Sequence, residues 1–330
     1  AASPPSPPPS PPPPPLPSHP PPPPQPPQPP SPSPPSPPPI PVRRLNVLHI
    51  ISDDMRADWG AYGRPATTPH LDRLASEGLT FLRAYCQMSV CSPSRQSFLT
   101  SQRPDAHRVW NFATTNPRAT QALPGHFREA GYLTLGLGKT FHEDAGAWNS
   151  DHYWSPERPY RNYTANRCPQ PLPFEGLNGG HCVERDEVIA DYDLRLAALD
   201  YLRFAAGVRK TTSRPFFLMV GFFGAHLPWV APQRMYDLYN AADLAVPTHP
   251  TLGPSQPLIS WTLQPVLLGD GTEVAHSPTE PVPVWVNRDQ RHAYYAAMSY
   301  VDEHIGALLQ ALRDESVESS TIVAAHSDHG

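Results

Sequence analysis

The sequence predicts an α/β fold, a mainly parallel β-sheet sandwiched by helices, and two observations carry the prediction. Short runs of branched and aromatic apolar residues alternate with longer stretches whose apolar residues recur every three or four positions, the strand-helix rhythm of a parallel sheet. Four separate short runs end abruptly in polar or charged residues: Asp53 and Asp54, Lys139 and His142, His226, and Asp328 with His329. Sheets of this kind bind ligands beyond the carboxyl ends of their strands. The same pattern that predicts the fold therefore predicts a site.

Residues 1–41 stand outside the rhythm. Most of the 49 prolines of the 330-residue chain fall between Pro4 and Pro41, in runs broken by Ser, Gln and His19. Without backbone N–H donors and with almost nothing apolar to bury, this segment is expected to be a disordered polyproline II rod or tail. The folded domain is expected over 42–330.

The first strand is Leu45 to Ile51, rich in branched residues and running straight into Ser52-Asp53-Asp54. Thr68 then caps a helix with Pro69 at its first position, Leu71, Leu74 and Ala75 on one face, and Gly78 closing it. Ala122 to Ala130 is the next helix, stopped by Gly131, before a strand from Tyr132 to Leu137 that empties into Gly138-Lys139-Thr140-Phe141-His142. A long helix, Asp186 to Ala206, is expected to turn Ile189, Tyr192, Leu196, Leu199 and Leu202 inward; Pro215 leads into the strand Phe216 to Val220 and on to His226. From about Asn240 to Val286 a Pro-rich, irregular insertion is expected to cover the sheet edge or shape a substrate mouth. Asp289 to Arg313 is helical, with Tyr294, Met298, Val301, Ile305, Leu308 and Leu312 at alternating spacings, and it feeds a strand from Thr321 to Ala325.

Composition excludes several classes. A net charge of -5 with only Arg43-Arg44 as a basic pair leaves no nucleic-acid footprint. The longest apolar run, Phe216 to Ala225, is roughly half a membrane span. The opening Ala1-Ala2-Ser3 carries neither initiator Met nor signal peptide, which reads as a processed or truncated product. Of the four cysteines, Cys168 and Cys182 flank a Pro/Gly-rich loop and are expected to pair, leaving Cys86 and Cys91 free. Asn162-Tyr163-Thr164 is a glycosylation sequon in the same region. The Pro/Ser tail resembles the hydroxyproline-rich wall glycoproteins of plants and green algae. These signals favour a secretory route, to the cell wall or exterior or to a lysosome or vacuole, with the tail as a wall or matrix contact.

If Asp53, Asp54 and Asp328 meet, three neighbouring carboxylates cannot all stay ionised without compensation. A hard divalent cation resolves this, and oxygen ligation favours Ca²⁺ or Mg²⁺ over zinc. Each Asp alone has a plainer account, capping a following helix or pairing with Arg56. Cys91 would sit close to such a metal with Arg95 on the next helical turn, a positive field suited to an anionic ester. The plainer account of Cys91 is a small buried thiol. Lys139 would join Arg95 and the metal in stabilising the non-bridging oxygens, and His226 or His142 would supply the proton for the departing alcohol.

Cys91-Ser92-Pro93-Ser94-Arg95 resembles the signature at which type I sulfatases have a cysteine oxidised to formylglycine, an aldehyde whose hydrate is the nucleophile. The blocks Asn46 to Asp54, Leu99-Thr100, Gly138-Lys139 with His142, His226-Leu227-Pro228 and Ser327-Asp328-His329-Gly330 are similar to the successive blocks of that family, in the same order. Gly138 to His142, Phe217 to Pro228, and Ala293 to Leu309 resemble the iduronate-2-sulfatases in particular. The resemblance implies an alkaline-phosphatase-like fold and hydrolysis of a sulfate ester on a sugar. It implies one Ca²⁺ held by Asp53, Asp54, Asp328, His329 and the formylglycine from Cys91. Arg95, Lys139 and His142 would hold the nucleophile and sulfate, and His226 the leaving oxygen. A sulfated carbohydrate and the formylglycine-generating enzyme are the implied partners. The runner-up activity is a phosphatase or phosphonate hydrolase of the same superfamily, and the alternative class an inactive sulfatase-like part of a wall or matrix protein. Three departures stand out: Leu99-Thr100-Ser101-Gln102-Arg103 where the family usually reads Leu-Thr-Gly-Arg, Gly224-Ala225 where iduronate-type members often have Lys-Pro, and no further lysine block or C-terminal subdomain after Gly330.

Overall fold

The computed structural model describes residues 44–112, 121–142, 150–168, 181–261, 266–267, 273–274 and 277–330; the prolyl segment expected at 1–41 lies outside them. Residues 44–330 form one unit. In chain order its elements are β1 (Asn46–Ser52), α1 (Pro69–Glu77), α2 (Cys91–Thr100), α3 (Pro104–His107), α4 (Leu123–Glu129), β2 (Leu133–Gly138), β3 (His181–Val183), α5 (Ala190–Thr212), β4 (Phe216–Phe222), β5 (Trp229–Ala231), α6 (Gln233–Tyr236), β6 (Val266–Leu267), β7 (Glu273–Val274), α7 (Val284–Asp314) and β8 (Thr321–Ser327).

The central sheet has the order β2-β4-β1-β8, every pairing parallel. Ser52 lies opposite both Phe222 and Ser327, and Gly138 opposite Gly221, so the four strands end level. Asn46 ties their other ends: its buried amide donates to Ser320 Oγ (3.4 Å) and Thr321 Oγ1 (3.3 Å), and its carbonyl accepts from the Phe216 N–H (3.3 Å). Gly138 has a φ of 72°, and a Cβ there would collide with the Gly221 carbonyl, so the close approach of β2 to β4 at the site end needs a glycine.

Side chains alternate across the sheet with the two-residue period of strands. Leu48, Ile50, Leu133, Leu135, Phe216, Leu218 and Val220 face one way, onto α5 and α7. Ile51, Phe217 and Met219 face the other, onto Leu99 of α2, Phe127 of α4, Phe141 and Trp154. Helices thus cover both faces, as the sequence predicts.

The strand expectations hold to within one or two residues at all four positions. The long helix differs: Asp186–Val188 is a separate 3-10 turn, and α5 runs from Ala190 to Thr212. Its buried face carries Leu194, Ala197, Ala198, Tyr201, Leu202 and Ala205, while Leu196 is exposed. The expected face used only large residues, whereas the close fit of α5 to β2 and β4 selects alanines. In α7, Met298, Val301, Ile305, Leu308 and Leu312 are buried as expected. The described part of the insertion contains 3-10 turns and the antiparallel β6-β7 pair. Cys168 and Cys182 are disulfide-bonded, Cys86 is exposed, Cys91 is buried, and Asn162 of the sequon is exposed.

Candidate active site

The four level strand ends bring most of the predicted residues together. Asp53 follows β1 and is fully buried; Arg95, one turn along α2, donates to Asp53 Oδ1 (2.9 Å) and to Asp328 Oδ2 (3.1 Å). Lys139, after β2, pairs with the other oxygen of Asp53. Asp328, after β8, accepts at Oδ1 from the backbone N–H of Asp54 (3.1 Å) and of His329 (2.9 Å). Neither Asp53 nor Asp328 pairs with Arg56, which lies 3.8 Å from Asp58 instead.

Cys91 opens α2, so its side chain sits at a helix N-terminus, where unpaired N–H groups favour an anion. Its Sγ is 3.2 Å from His329 Nε2 and 3.9 Å from Asp54 Oδ1, and Asp54 Oδ1 is 2.9 Å from His329 Nε2. His226 Nε2 lies 3.8 Å from Asp54 Oδ2, while its Nδ1 is 2.5 Å from the Leu227 carbonyl, so Nδ1 holds the proton in the neutral ring. Asp54 itself has a φ of 55°, the left-handed region, with its N–H committed to Asp328.

Among the described residues, potential ligand atoms cluster in three overlapping groups, each within 4.8 Å: Asp53, Asp54 and Asp328; Asp53, Cys91 and His226; and Asp54, Cys91 and His329. His142 belongs to none of these groups. Its ring lies against Phe112, with centroids 4.8 Å apart.

Burial opposes charge throughout the cluster, and neighbours decide which charges survive. Burial alone would raise Asp53, but Arg95 and Lys139 outweigh it and hold the carboxyl well below the usual range. Burial lifts Asp328 to about 6, with Arg95 opposing and Asp53 adding to the rise. Burial would lower Lys139, yet Asp53 keeps it above its ordinary value. His329 is likewise raised, because its contacts with Asp54 and Asp328 overcome desolvation. Burial, reinforced by Asp53, pushes the Cys91 thiol up. Three carboxylates thus face two permanent cations, Arg95 and Lys139, and one titratable one, His329.

A sulfatase family model matches residues 45–330. The chain belongs to the sulfatase family. Human iduronate 2-sulfatase is 31% identical over 309 residues, covering 87% of this chain and 54% of the human one. A sulfatase of Formosa agariphila is 28% identical over 316 residues, covering 88% of this chain and 59% of its own. The phosphonate monoester hydrolase of Agrobacterium radiobacter shares the fold, with a TM-score of 0.66 at 20% identity, covering 87% of this chain and 63% of that one. The chain therefore spans little more than half the length of these two relatives.

Several supports of the site escape sequence reasoning. Asp191 of α5, buried, accepts from the N–H groups of Phe223 (2.9 Å) and Gly224 (2.7 Å) and from Asn166 (3.0 Å), anchoring the loop that delivers His226. In sequence it is an ordinary acid in a first helical turn. Tyr294 reads as a core position of α7, but its hydroxyl donates to the Asp54 carbonyl (2.7 Å) and accepts from the Arg56 N–H (2.8 Å). Ser94 donates to the Asp328 carbonyl. Ser101 ends α2 with a φ of 55°, a conformation glycine adopts without steric cost and a serine at about 1 kcal/mol of strain.

Proposed function

We propose that this sulfatase hydrolyses sulfate monoesters on a sugar or glycosaminoglycan-like polysaccharide, as an enzyme of iduronate-2-sulfatase type, through a formylglycine made from Cys91 and one bound Ca²⁺. The observation that carries the reading is the position of Cys91: at the head of α2, beside Asp54 and His329, with Arg95 and Lys139 behind it. Similarity to human iduronate 2-sulfatase supports the substrate class.

The residues fit the metal. Carboxylate oxygens of Asp53, Asp54 and Asp328 lie within 4.8 Å of one another, a hard donor set. His329 and the Cys91 side chain would complete the shell. The ion would supply charge stabilisation for the sulfate oxygens, and the formylglycine hydrate a hydroxyl nucleophile. Arg95 and Lys139 hold Asp53 ionised and fix the orientation of the carboxylates. His226 has its Nε2 near Asp54, and a ring protonated there as well as at Nδ1 would give that proton to the leaving oxygen. The part of His142 in holding the sulfate rests on the family pattern.

The disulfide between Cys168 and Cys182 and the exposed Asn162 support a secretory route, the compartment in which a formylglycine-generating enzyme would meet the chain. The Pro-rich segment is the proposed wall or matrix contact.

The test is the mass of the tryptic peptide Ala84 to Arg95 from protein made in its own host. An aldehyde at position 91 is expected; intact cysteine in every molecule would sink the modified-nucleophile mechanism. Parallel assays on aryl sulfate, phosphate and phosphonate esters decide the class. A preference for phosphonate or phosphate would replace the sulfatase reading, and inertness toward all three would favour a non-catalytic matrix protein.

A further inference from the structure

Residues 223–228 join β4 to β5 and carry His226, and this loop is held at both ends. At its entry, Asp191 of α5, 1% exposed, accepts from the N–H groups of Phe223 and Gly224. A Cβ on Gly224 would collide with Val301 of α7, so the loop sits directly on the helix. The Gly224 carbonyl accepts from Ser52 Oγ (2.6 Å) and from the Asp53 N–H (3.2 Å), which ties the loop to the end of β1. Asp191 is itself oriented by the buried Asn166, whose amide donates to Asp191 Oδ2 (3.0 Å) and whose carbonyl accepts the Asp191 N–H (3.1 Å). At the loop exit, β5 pairs with β3, with Val230 opposite Cys182. The two supports are joined covalently. Cys168, two positions after Asn166, is disulfide-bonded to Cys182, and both cysteines pack on the cluster of Ile189, Val230 and Ala231.

We propose that Asp191, Asn166 and the disulfide between Cys168 and Cys182 form one clamp that positions His226 for proton transfer to the leaving oxygen, so that the clamp decides how well esters of weakly acidic alcohols are cleaved. The proposal rests on the sulfatase reading for the role of His226. Asp191 and Asn166 are positioning residues, since they act through the backbone of the loop. The two Asp191 oxygens accept two N–H groups of the loop and one of Asn166, and the reciprocal bond from Asn166 keeps the carboxylate from turning away. Proton donation matters in proportion to the basicity of the departing oxygen. A sugar alkoxide needs a proton as it leaves, whereas a nitrophenolate departs without one. A loosened loop therefore harms the first kind of ester and largely spares the second, a split that a general loss of folded enzyme does not produce.

The experiment compares wild-type protein from its own host with Asp191→Asn, with Asn166→Ala, and with the double variant Cys168→Ser, Cys182→Ser, on a nitrophenyl sulfate and on a sulfate ester of a sugar alcohol. In Asp191→Asn the ratio of kcat on the sugar ester to kcat on the nitrophenyl ester should fall by at least about tenfold. The other two variants should move it the same way by less, and they carry the test if Asp191→Asn does not fold. An equal loss on both esters, or an unchanged ratio, overturns the proposal; an unchanged ratio in the cysteine variant alone removes the disulfide from the clamp. A second arm needs no turnover: amide hydrogen exchange of the peptide from Phe223 to Trp229, read by mass spectrometry. The Phe223 and Gly224 amides should exchange at least about tenfold faster in Asn166→Ala than in wild type, with peptides of β1 unchanged. Equal rates overturn the clamp, and so does the same acceleration in β1. If wild type hydrolyses no sulfate ester yet shows this local difference, the function fails and the clamp stands.

Discussion

Two ionic clusters in this chain use the same side-chain types under opposite conditions. At the strand ends, Arg95 joins Asp53 and Asp328, all three side chains at most 1% exposed. On the outer face of α7, Arg234 joins Asp186 and Glu303 at similar or shorter distances, with Arg234 44% exposed. Geometry alone would rank them alike. Solvent separates them, because water screens the outer pairs and compensates the loss of either partner, whereas the inner carboxylates depend on protein groups: Arg95, Lys139, and the N–H groups of Asp54 and His329. The inner cluster belongs to the proposed reaction site, and the outer one joins the turn at Asp186, α6 and α7.

The largest effect expected is on turnover and tests the inner cluster as a reaction centre. Cys91→Ala should lower sulfate-ester hydrolysis by on the order of 10³-fold or more while leaving the urea midpoint nearly unchanged. Residual activity within tenfold of wild type would remove Cys91 from the mechanism. Next comes Arg95→Ala, which leaves two buried carboxylates without their shared cation and should cost about 3–5 kcal/mol of stability, read by chemical denaturation. A loss below about 1 kcal/mol would show the two clusters to be energetically equivalent.

A third prediction concerns pH. Asp302 of α7 accepts the backbone N–H groups of His70 (3.0 Å) and Leu71 (2.7 Å), and burial lifts it from 3.8 to about 6 against those bonds. A raised folded value means the stability it contributes is full below pH 3.8 and is lost as pH rises through 6. Denaturation across that window should show a decline on the order of 1–3 kcal/mol from this group, flattened in Asp302→Asn; an identical slope in the variant would assign the titration elsewhere. Smallest is the outer cluster. Arg234→Ala should change stability by about 0–1 kcal/mol, less at high salt, and a larger loss would erase the contrast drawn above.

Legibility followed the range of the interaction. The strands, the bounds of α1 and the core face of α7 were readable because neighbours in sequence decide them, although Thr68 makes no capping hydrogen bond to α1 and its hydroxyl donates to Asp72 instead. The buried face of α5 was not, since its alanines matter only through how closely β2 and β4 approach. Asp53, Cys91, Arg95 and Asp328 were legible as residues at strand ends or in a motif. Asp191 and Tyr294 were not, because what they hold lies more than 30 and 230 positions away and no local pattern marks it.

By itself the sequence determined the α/β alternation, the pairing of Cys168 with Cys182, and the chemical inventory delivered to one edge of a sheet. Only the tertiary structure decided the strand order β2-β4-β1-β8, which lays Ser52 against Ser327 and so places Asp328 beside Asp53. It also decided that Arg95 serves both acids, that His142 lies against Phe112, and that Asp191 meets the loop carrying His226. The physical reason is that local propensity acts over a few residues, whereas parallel strand pairing joins segments far apart in the chain, and charges buried in that way are stable only against the partners the pairing brings to them.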